Sequence, residues 1–417
     1  MSQVGAEGLA LHGYSAKQIL SHYYTGTSLG HLDGGRFVTV LLQSGLRSVV
    51  FSGASRAGPR HLNTSSIYIA TGASSGRIAL ESVHGRLLTY LAAPLELSGP
   101  APLTLGGAAL SGVIDGRYRG SFQLSENGRR LDVVNRVGLE SYLEGVVPAE
   151  SPASWPAAEL EAQAIAARSY AVASQPQQGF DLYGDTRSQQ YGGYDAETPM
   201  SDAAVEATLG EVVTYGSKPV ATFYFASSGG ETENVQDAFP GAAPEPYLTA
   251  VLDPFDATRF GPVTLTLHAA QHRLRGLVHG SLESIVVTRR GVSPRVVAAN
   301  IVGTRGTTAV SGDVLAAALG LQSTWACFSV TSDAARLAAD WAHACARPSR
   351  LRQIAPIGST GGGTIAPAGA TGPTPPTGQN VPVAPAGPAG GAVVPTGATG
   401  TSATSGSNGG GARAPSG

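Results

Sequence analysis

The chain has 417 residues, of which 42% are hydrophobic and only 13% charged, with a net charge of -2. No basic excess favours nucleic acid and no apolar run is long enough to cross a bilayer, so neither strong nucleic-acid binding nor a membrane span is expected. The low charge and scarcity of lysine suit an extracytoplasmic protein.

Near the start, SAKQILSHYY predicts a helix over 15–24 with Ile19, Leu20 and Tyr23 on one side, a core-facing stripe. His12 and His22 read as structural residues rather than ligands. From about 36 to 135, short β-rich runs (FVTVLL, SVVF, SIYIA, RLLTYL, LDVV) alternate with glycine turns, as in a strand-rich scaffold. The segment RYRGSFQLSENGRRLDVVNRV reads as a hairpin turning at SENG and leading straight into GLESYLEG.

The stretch from Tyr142 to Ser174, YLEGVVPAESPASWPAAELEAQAIAARSYAVAS, carries the most information. Glu150 lies among Pro148, Pro152 and Pro156, whose fixed φ angles predict a stiff loop, and a helix is predicted over 156–174. Ser154 is its expected N-cap, with Pro156 in the first turn and Leu160, Ala164, Ala167 and Ala171 forming the stripe that faces the core. Arg168 leaves that helix at the edge of the buried face, where only a paired guanidinium is tolerable. A carboxylate or an anionic ligand would serve as its partner.

Further on, DTRSQQYGGYDAET predicts a polar loop in which Gln189 and Tyr191 offer the amide and aromatic faces that hold neutral sugars, or form an ordinary turn. VATFYFA, from 220 to 226, reads as a buried strand feeding the glycine-rich turn SSGGETEN. There Ser227, Ser228 and Thr232 are candidates to line a cleft, and Gly229 and Gly230 allow close backbone approach to a ligand. A Ser-His-acid hydrolase is disfavoured, because no histidine lies in these central segments. Between 260 and 317, SLESIVVTRRG, PRVVAANIVG and TTAVSG continue the strand pattern and VLAAAL follows as a short helix. Cys327 and Cys345 flank the helical-looking SDAARLAADWAHAC. In an oxidising compartment they would close a loop that contributes about 3 kcal/mol. Arg347, Arg350 and Arg352 read as a solvated cluster, with anionic wall polymers as their alternative contact. The Gly/Pro/Ala/Thr-rich stretch from 353 to 417 buries too little apolar area to order and predicts a disordered tail.

Four blocks together resemble one family: MSQVGAEGLALHGYSAKQILSHYYTGTSLG, YLEGVVPAESPASWPAAELEAQAIAARSYA, DLYGDTRSQQYGG and VATFYFASSGGETENVQDAFPG, with GLQSTW fitting the family's end. The chain resembles the sporulation protein D and amidase-enhancer family (SpoIID/LytB), whose members act on bacterial peptidoglycan. The resemblance covers roughly residues 1 to 326. It implies a lytic transglycosylase acting on glycan strands stripped of their peptides, with the glutamate of PAE, Glu150, as the single catalytic acid. Arg168 corresponds to the basic residue of the family's helix, which would orient Glu150 or hold a sugar substituent. Some members bind zinc through His and Cys near residues 175–200, where this chain has neither, so no zinc and no other cofactor is expected.

The resemblance also implies export to the cell wall, with a signal sequence expected upstream of Met1, which occupies an internal position of the family's first motif. A cell-wall amidase is a candidate partner. The rival functions are a non-catalytic peptidoglycan-binding amidase enhancer and a structural wall or spore-coat protein. The expected architecture is a mixed α/β (α+β) fold: an N-terminal family segment (1–35), a β-rich lobe (36–135), a strand-rich catalytic domain with a few helices (136–326), a helical segment (327–352) and the disordered tail (353–417).

Overall fold

The structure, a computed structural model, describes residues 1–74, 76–256 and 263–328. Cys345, the arginine cluster, the helical segment past 328 and the tail lie outside the described residues. Cys327 is disulfide-bonded.

The fold is mixed α and β, as expected, and strands outnumber helices among the described residues. Strand 37–46 buries Val38, Val40 and Leu42, alternate residues on one face, against the core. It pairs antiparallel with 130–138, setting Val38 opposite Val137 and Val40 opposite Asn135. The expected hairpin forms between 121–127 and 130–138, reversing after Asn127 where Gly128 takes φ 71°. These strands belong to a seven-stranded sheet, and six more strands between 48 and 118 form a second sheet. Val40, Leu97, Phe122 and Leu131 from one sheet and Phe51, Ile78, Leu80 and Leu103 from the other share a single core. The same core takes in Leu143, Val146, Leu160 and Ala164 from the helices that follow, so the β-rich stretch is packed into the body.

Helix α1 (Gln3–Leu11) is N-capped by Ser2, and α2 (Ala16–Tyr23) by a Ser15/Gln18 capping box. Helix α3 (Leu139–Glu150) continues directly from strand 130–138. Helix α4 (Ala157–Ala173) presents Leu160, Ala164, Ala167 and Ala171 to the main core, as the sequence pattern predicts. Its other side, Ala162, Ile165 and Ala166, packs on α1 and α2, so alanine all round makes α4 a central helix buried on both sides. Helix α5 (Pro199–Ala207) packs on α3 and α4. Residues 263–328 have their own core, in which Leu282, Val296 and Ile301 of a three-stranded sheet meet Leu315 and Leu319 of the helix Gly312–Leu319.

Three local expectations change. Glu150 is the last residue of α3 rather than part of a loop, because Pro148 is accommodated inside the helix. Ser154 makes no cap; Pro156 occupies the N-cap of α4 without a side-chain hydrogen bond. The 220–226 stretch is not a strand but extended chain, tied to the N-terminal segment by one parallel bridge, Ser2 to Phe225, and Phe225 is 39% exposed. The backbone oxygen of Phe223 accepts from the Tyr24 hydroxyl at 3.0 Å, so helix-borne groups take the place of a sheet neighbour.

Charge pairs fasten the sheets to the helical region. Arg117 meets Asp195 at 2.7 Å, Arg119 meets Glu197 at 2.7 Å, and the ring of Tyr194 lies 4.8 Å from both guanidinium groups. Closer to the site, the 191–193 loop docks on α3 where Gly145 leaves room, and Gly192 N–H donates to the Gly145 carbonyl at 2.9 Å. A Cβ at 145 would fall 2.8 Å from a Tyr191 ring carbon and 2.9 Å from the Gly193 oxygen. Gly145→Ala is therefore expected to destabilise the fold by about 1–3 kcal/mol, read as a lowered denaturation midpoint. An unchanged midpoint would show that α3 can shift away from this loop.

Candidate active site

The site is built around the C-terminus of α3. Pro148 offers no N–H to the preceding turn, and the helix closes when Ser151 N–H donates to the Val147 carbonyl at 2.9 Å. The partly exposed Glu150 side chain folds back there. Its Oε1 accepts the backbone N–H of Gln190 at 2.7 Å, and its Oε2 accepts the Gln3 amide at 3.4 Å. The same Gln3 nitrogen donates at 3.2 Å to the Glu150 carbonyl, one of the orphan acceptors at a helix end. Burial pushes the Glu150 carboxyl above the usual carboxylate range, while the Gln190 and Gln3 donors pull it back. The negative end of the helix dipole acts in the same direction as burial. Among the described residues, no carboxylate figures among the groups that shift it.

The floor beneath Glu150 is a tyrosine and glutamine network. Gln189 is buried, donating to the Tyr142 hydroxyl at 3.1 Å and accepting from Tyr224 at 2.6 Å. Burial raises both tyrosines well above their ordinary range, and the charge of Glu150 adds to the effect. Gln189 thus braces the site from below instead of facing a ligand. Tyr191 is likewise a core residue: its ring packs 4.9 Å from Tyr142 and 5.6 Å from Tyr118, and its hydroxyl donates to Asn135 at 3.0 Å. The alternation of the extended 189–191 segment sends these two side chains inward and leaves the backbone N–H of Gln190 for the carboxylate.

Arg168 also departs from a ligand-binding role. It is 0% exposed and makes a paired contact with Glu140 at the start of α3, at 3.0 and 2.6 Å, with further bonds to the Glu211 carbonyl at 3.1 Å and the Val205 carbonyl at 3.3 Å. Of its two expected roles, the structure gives it the ion pair, which ties α3, α4 and the region after α5 together. Glu140 lies almost three helical turns from Glu150, so Arg168 does not orient that carboxyl.

The SSGG segment gathers around two buried aspartates. Ser227 donates to Asp256 at 2.9 Å, Ser228 to Asp253 at 2.8 Å, and Gly229 N–H to Asp256 at 3.2 Å. Gly229 and Gly230, at φ 70° and 121°, allow this turn, and Arg295 braces it by donating to the Ser228 carbonyl at 2.6 Å. Thr232 accepts from Val251 N–H at 2.8 Å and is buried. Ser228 and Thr232 are thus structural in this state, and the turn meets the site through the N-terminal segment: Gln3 N–H donates to Phe225 O at 2.9 Å and Val4 N–H to Ala226 O at 3.0 Å. Burial and the field of Asp256 lift Asp253 to about 6.

Sequence reasoning missed Gln3, the peptide of Gln190, and Glu159. The last is 0% exposed on α4, accepts the hydroxyl of Ser151 at 2.9 Å, and is pushed up to about 8, mainly by burial. Its place in the first turn of α4, away from the predicted alanine stripe, gave no sign that the opposite face is buried too. Among the described residues no group of three His, Cys, Asp or Glu side chains can hold a metal ion, and no helix is long and apolar enough to cross a membrane.

With this geometry in view, comparison with known proteins is informative. Residues 127–215, which contain Glu150, α4 and the 189–193 loop, match the family model described as Stage II sporulation protein. The chain is 34% identical over 142 residues to the Stage II sporulation protein D of Bacillus amyloliquefaciens, which is 30% of this chain and 40% of that protein. It is 37% identical over 114 residues to the amidase enhancer of Bacillus subtilis, 27% of this chain and 15% of that protein. An uncharacterized protein of Brachyspira hyodysenteriae is 34% identical over 152 residues, 36% of this chain and 40% of its own length. The matches thus span less than half of each relative. These matches support the resemblance to the SpoIID/LytB family over this segment.

Because Glu159 holds its proton in the folded state up to about pH 8, while an unfolded glutamate ionises near 4.5, this group's contribution to stability falls as pH rises between those values and is constant beyond them. Glu159→Gln keeps the Ser151 contact and removes this loss. The variant is expected to match the parent at pH 4 and to melt higher at pH 8. Equal melting temperatures at pH 8 would mean that Glu159 is ionised in the folded chain.

Proposed function

We propose that this protein is a peptidoglycan lytic transglycosylase that cuts peptide-stripped glycan strands, with Glu150 as its one acid and base. The observation that carries this reading is the Glu150 carboxyl itself: partly exposed, lifted in pKa by burial, held at both oxygens and, among the described residues, with no carboxylate hydrogen-bonded to it.

A carboxyl whose pKa is raised by burial keeps its proton to higher pH than an ordinary one, and it can give that proton to the glycosidic oxygen as the bond to the anomeric carbon breaks. The oxocarbenium-like centre is then attacked by the 6-hydroxyl of the same sugar, whose proton returns to Glu150. The product carries a 1,6-anhydro ring, and the enzyme ends as it began. Ordinary glycosidases need a paired carboxylate to activate water or form a covalent intermediate. An intramolecular nucleophile removes that requirement, so an isolated acid suits this chemistry.

The relative named amidase enhancer favours a second reading, in which the same surface binds peptidoglycan and stimulates a cell-wall amidase without proton transfer. Either role places the protein outside the cytoplasmic membrane, at the wall.

Digestion of purified peptide-free glycan strands separates the two. The transglycosylase reading predicts anhydro-muramyl products from the parent. It predicts that Glu150→Gln lowers kcat by about 100-fold or more while still co-sedimenting with glycan. Equal rates in the variant would remove Glu150 as the acid, and binding without products from the parent would favour the enhancer.

A further inference from the structure

We propose that Gln3 is the positioning residue of the Glu150 acid: its amide spans the last carbonyl of α3 and one carboxyl oxygen, and this assigns Oε2 as the oxygen that carries and delivers the proton. The inference rests on the transglycosylase reading and extends it to a residue outside the matched family segment.

The two carboxyl oxygens are not equivalent. Oε1 accepts a peptide N–H at 2.7 Å, and a protonated oxygen is a poorer acceptor, so protonating Oε1 would weaken the shorter of the two bonds. Oε2 faces the Gln3 amide at 3.4 Å, long for an N–H···O bond and weak enough to leave that oxygen open to a second partner. The amide nitrogen has two hydrogens, and the second is directed to the Glu150 carbonyl at 3.2 Å. Gln3 therefore folds the glutamate side chain back over its own backbone and fixes the direction in which Oε2 points.

Gln3 is itself held. It is 5% exposed and sits in the first turn of α1, where Ser2 caps the helix by accepting Gly5 N–H at 3.1 Å. The Ser2 hydroxyl donates to Asp256 at 2.8 Å, and Asp256 is gripped in turn by Ser227 and the Gly229 N–H. This gives the SSGG turn a part in the site without contact to Glu150: it anchors the aspartate that anchors the cap that places Gln3. Among the described residues, Tyr142, Tyr170 and Tyr224 are titratable groups that feel Glu150, and burial raises all three, which keeps them neutral near pH 7. A change in the titration of Glu150 on replacing Gln3 therefore reports on Gln3.

The test is the carboxyl titration of Glu150, followed by carbon NMR in protein labelled at glutamate side chains, with the signal assigned by its loss in Glu150→Gln. Gln3→Met keeps the length and removes both donors. Losing a donor that favours the ionised form is expected to move the Glu150 titration up by about half a pH unit or more. On peptide-free glycan strands kcat is expected to fall about 10–100-fold with KM little changed, and the basic limb of the pH profile to move up with the titration. Ser2→Ala, which frees the cap, is expected to act in the same direction to a smaller extent, and it carries the test should Gln3→Met not fold. An unchanged titration in a natively folded variant overturns the assignment. If the titration moves but the parent cleaves no glycan, the reaction is wrong and Gln3 still positions Glu150. If the parent cleaves and Gln3→Met retains both titration and kcat, the Gln3 assignment alone fails.

Discussion

The site depends on one short hydrogen bond, from the backbone of Gln190 to Oε1 of Glu150. It requires the end of α3 and the 189–193 loop to stay in register, and much of the surrounding packing does that. Gly145 admits the loop, Gly192 bonds to the helix backbone, and the rings of Tyr142 and Tyr191 lock together below. A carboxylate that, among the described residues, is bonded only by neutral donors, in a setting that penalises its charge, is easy to protonate without being fixed in the protonated form. That balance is what a group must have if it first gives and then recovers a proton.

Buried charge elsewhere has a different purpose. Arg168 spends its donors on Glu140 and on backbone carbonyls within and after α5, so its desolvation is offset by contacts that join separate elements. Asp253 and Asp256 do the same for the N-terminal segment and the SSGG turn, gathering hydroxyl and N–H donors from segments more than 200 residues apart. In the aspartate case the polar network stands in for regular secondary structure. The 220–226 stretch has little sheet pairing, and the turn after it is held by carboxylates rather than by strand neighbours.

What could be seen in the sequence was what depends on local periodicity. The alternation in 37–46, the hairpin at Asn127–Gly128 and the alanine stripe of α4 are fixed by side chains a few residues apart, and they form where the pattern places them. The candidate acid stands out through the PAE motif, whereas the prolines around it suggest a loop and the helix runs through Pro148. The partners of Glu150 were hidden because they lie 147 and 40 residues away, and one of them is a peptide N–H that no side-chain motif encodes. Gln189 and Tyr191 have the residue types of a sugar site, but the direction each side chain takes is set by packing against Tyr142 and Tyr118. The sequence sets Arg168 at the edge of a buried face, but α4 is buried on both sides, and the arginine's partner depends on how α3 packs against α4.

The account's central claim is that the strand is cut by its own hydroxyl, with Glu150 supplying and recovering the proton. The most direct measurement is mass spectrometry of the products released from peptide-free glycan strands in water enriched with a heavy oxygen isotope. The account predicts anhydro ends that carry no label. Reducing ends that carry the heavy oxygen would show that water is the nucleophile and contradict it.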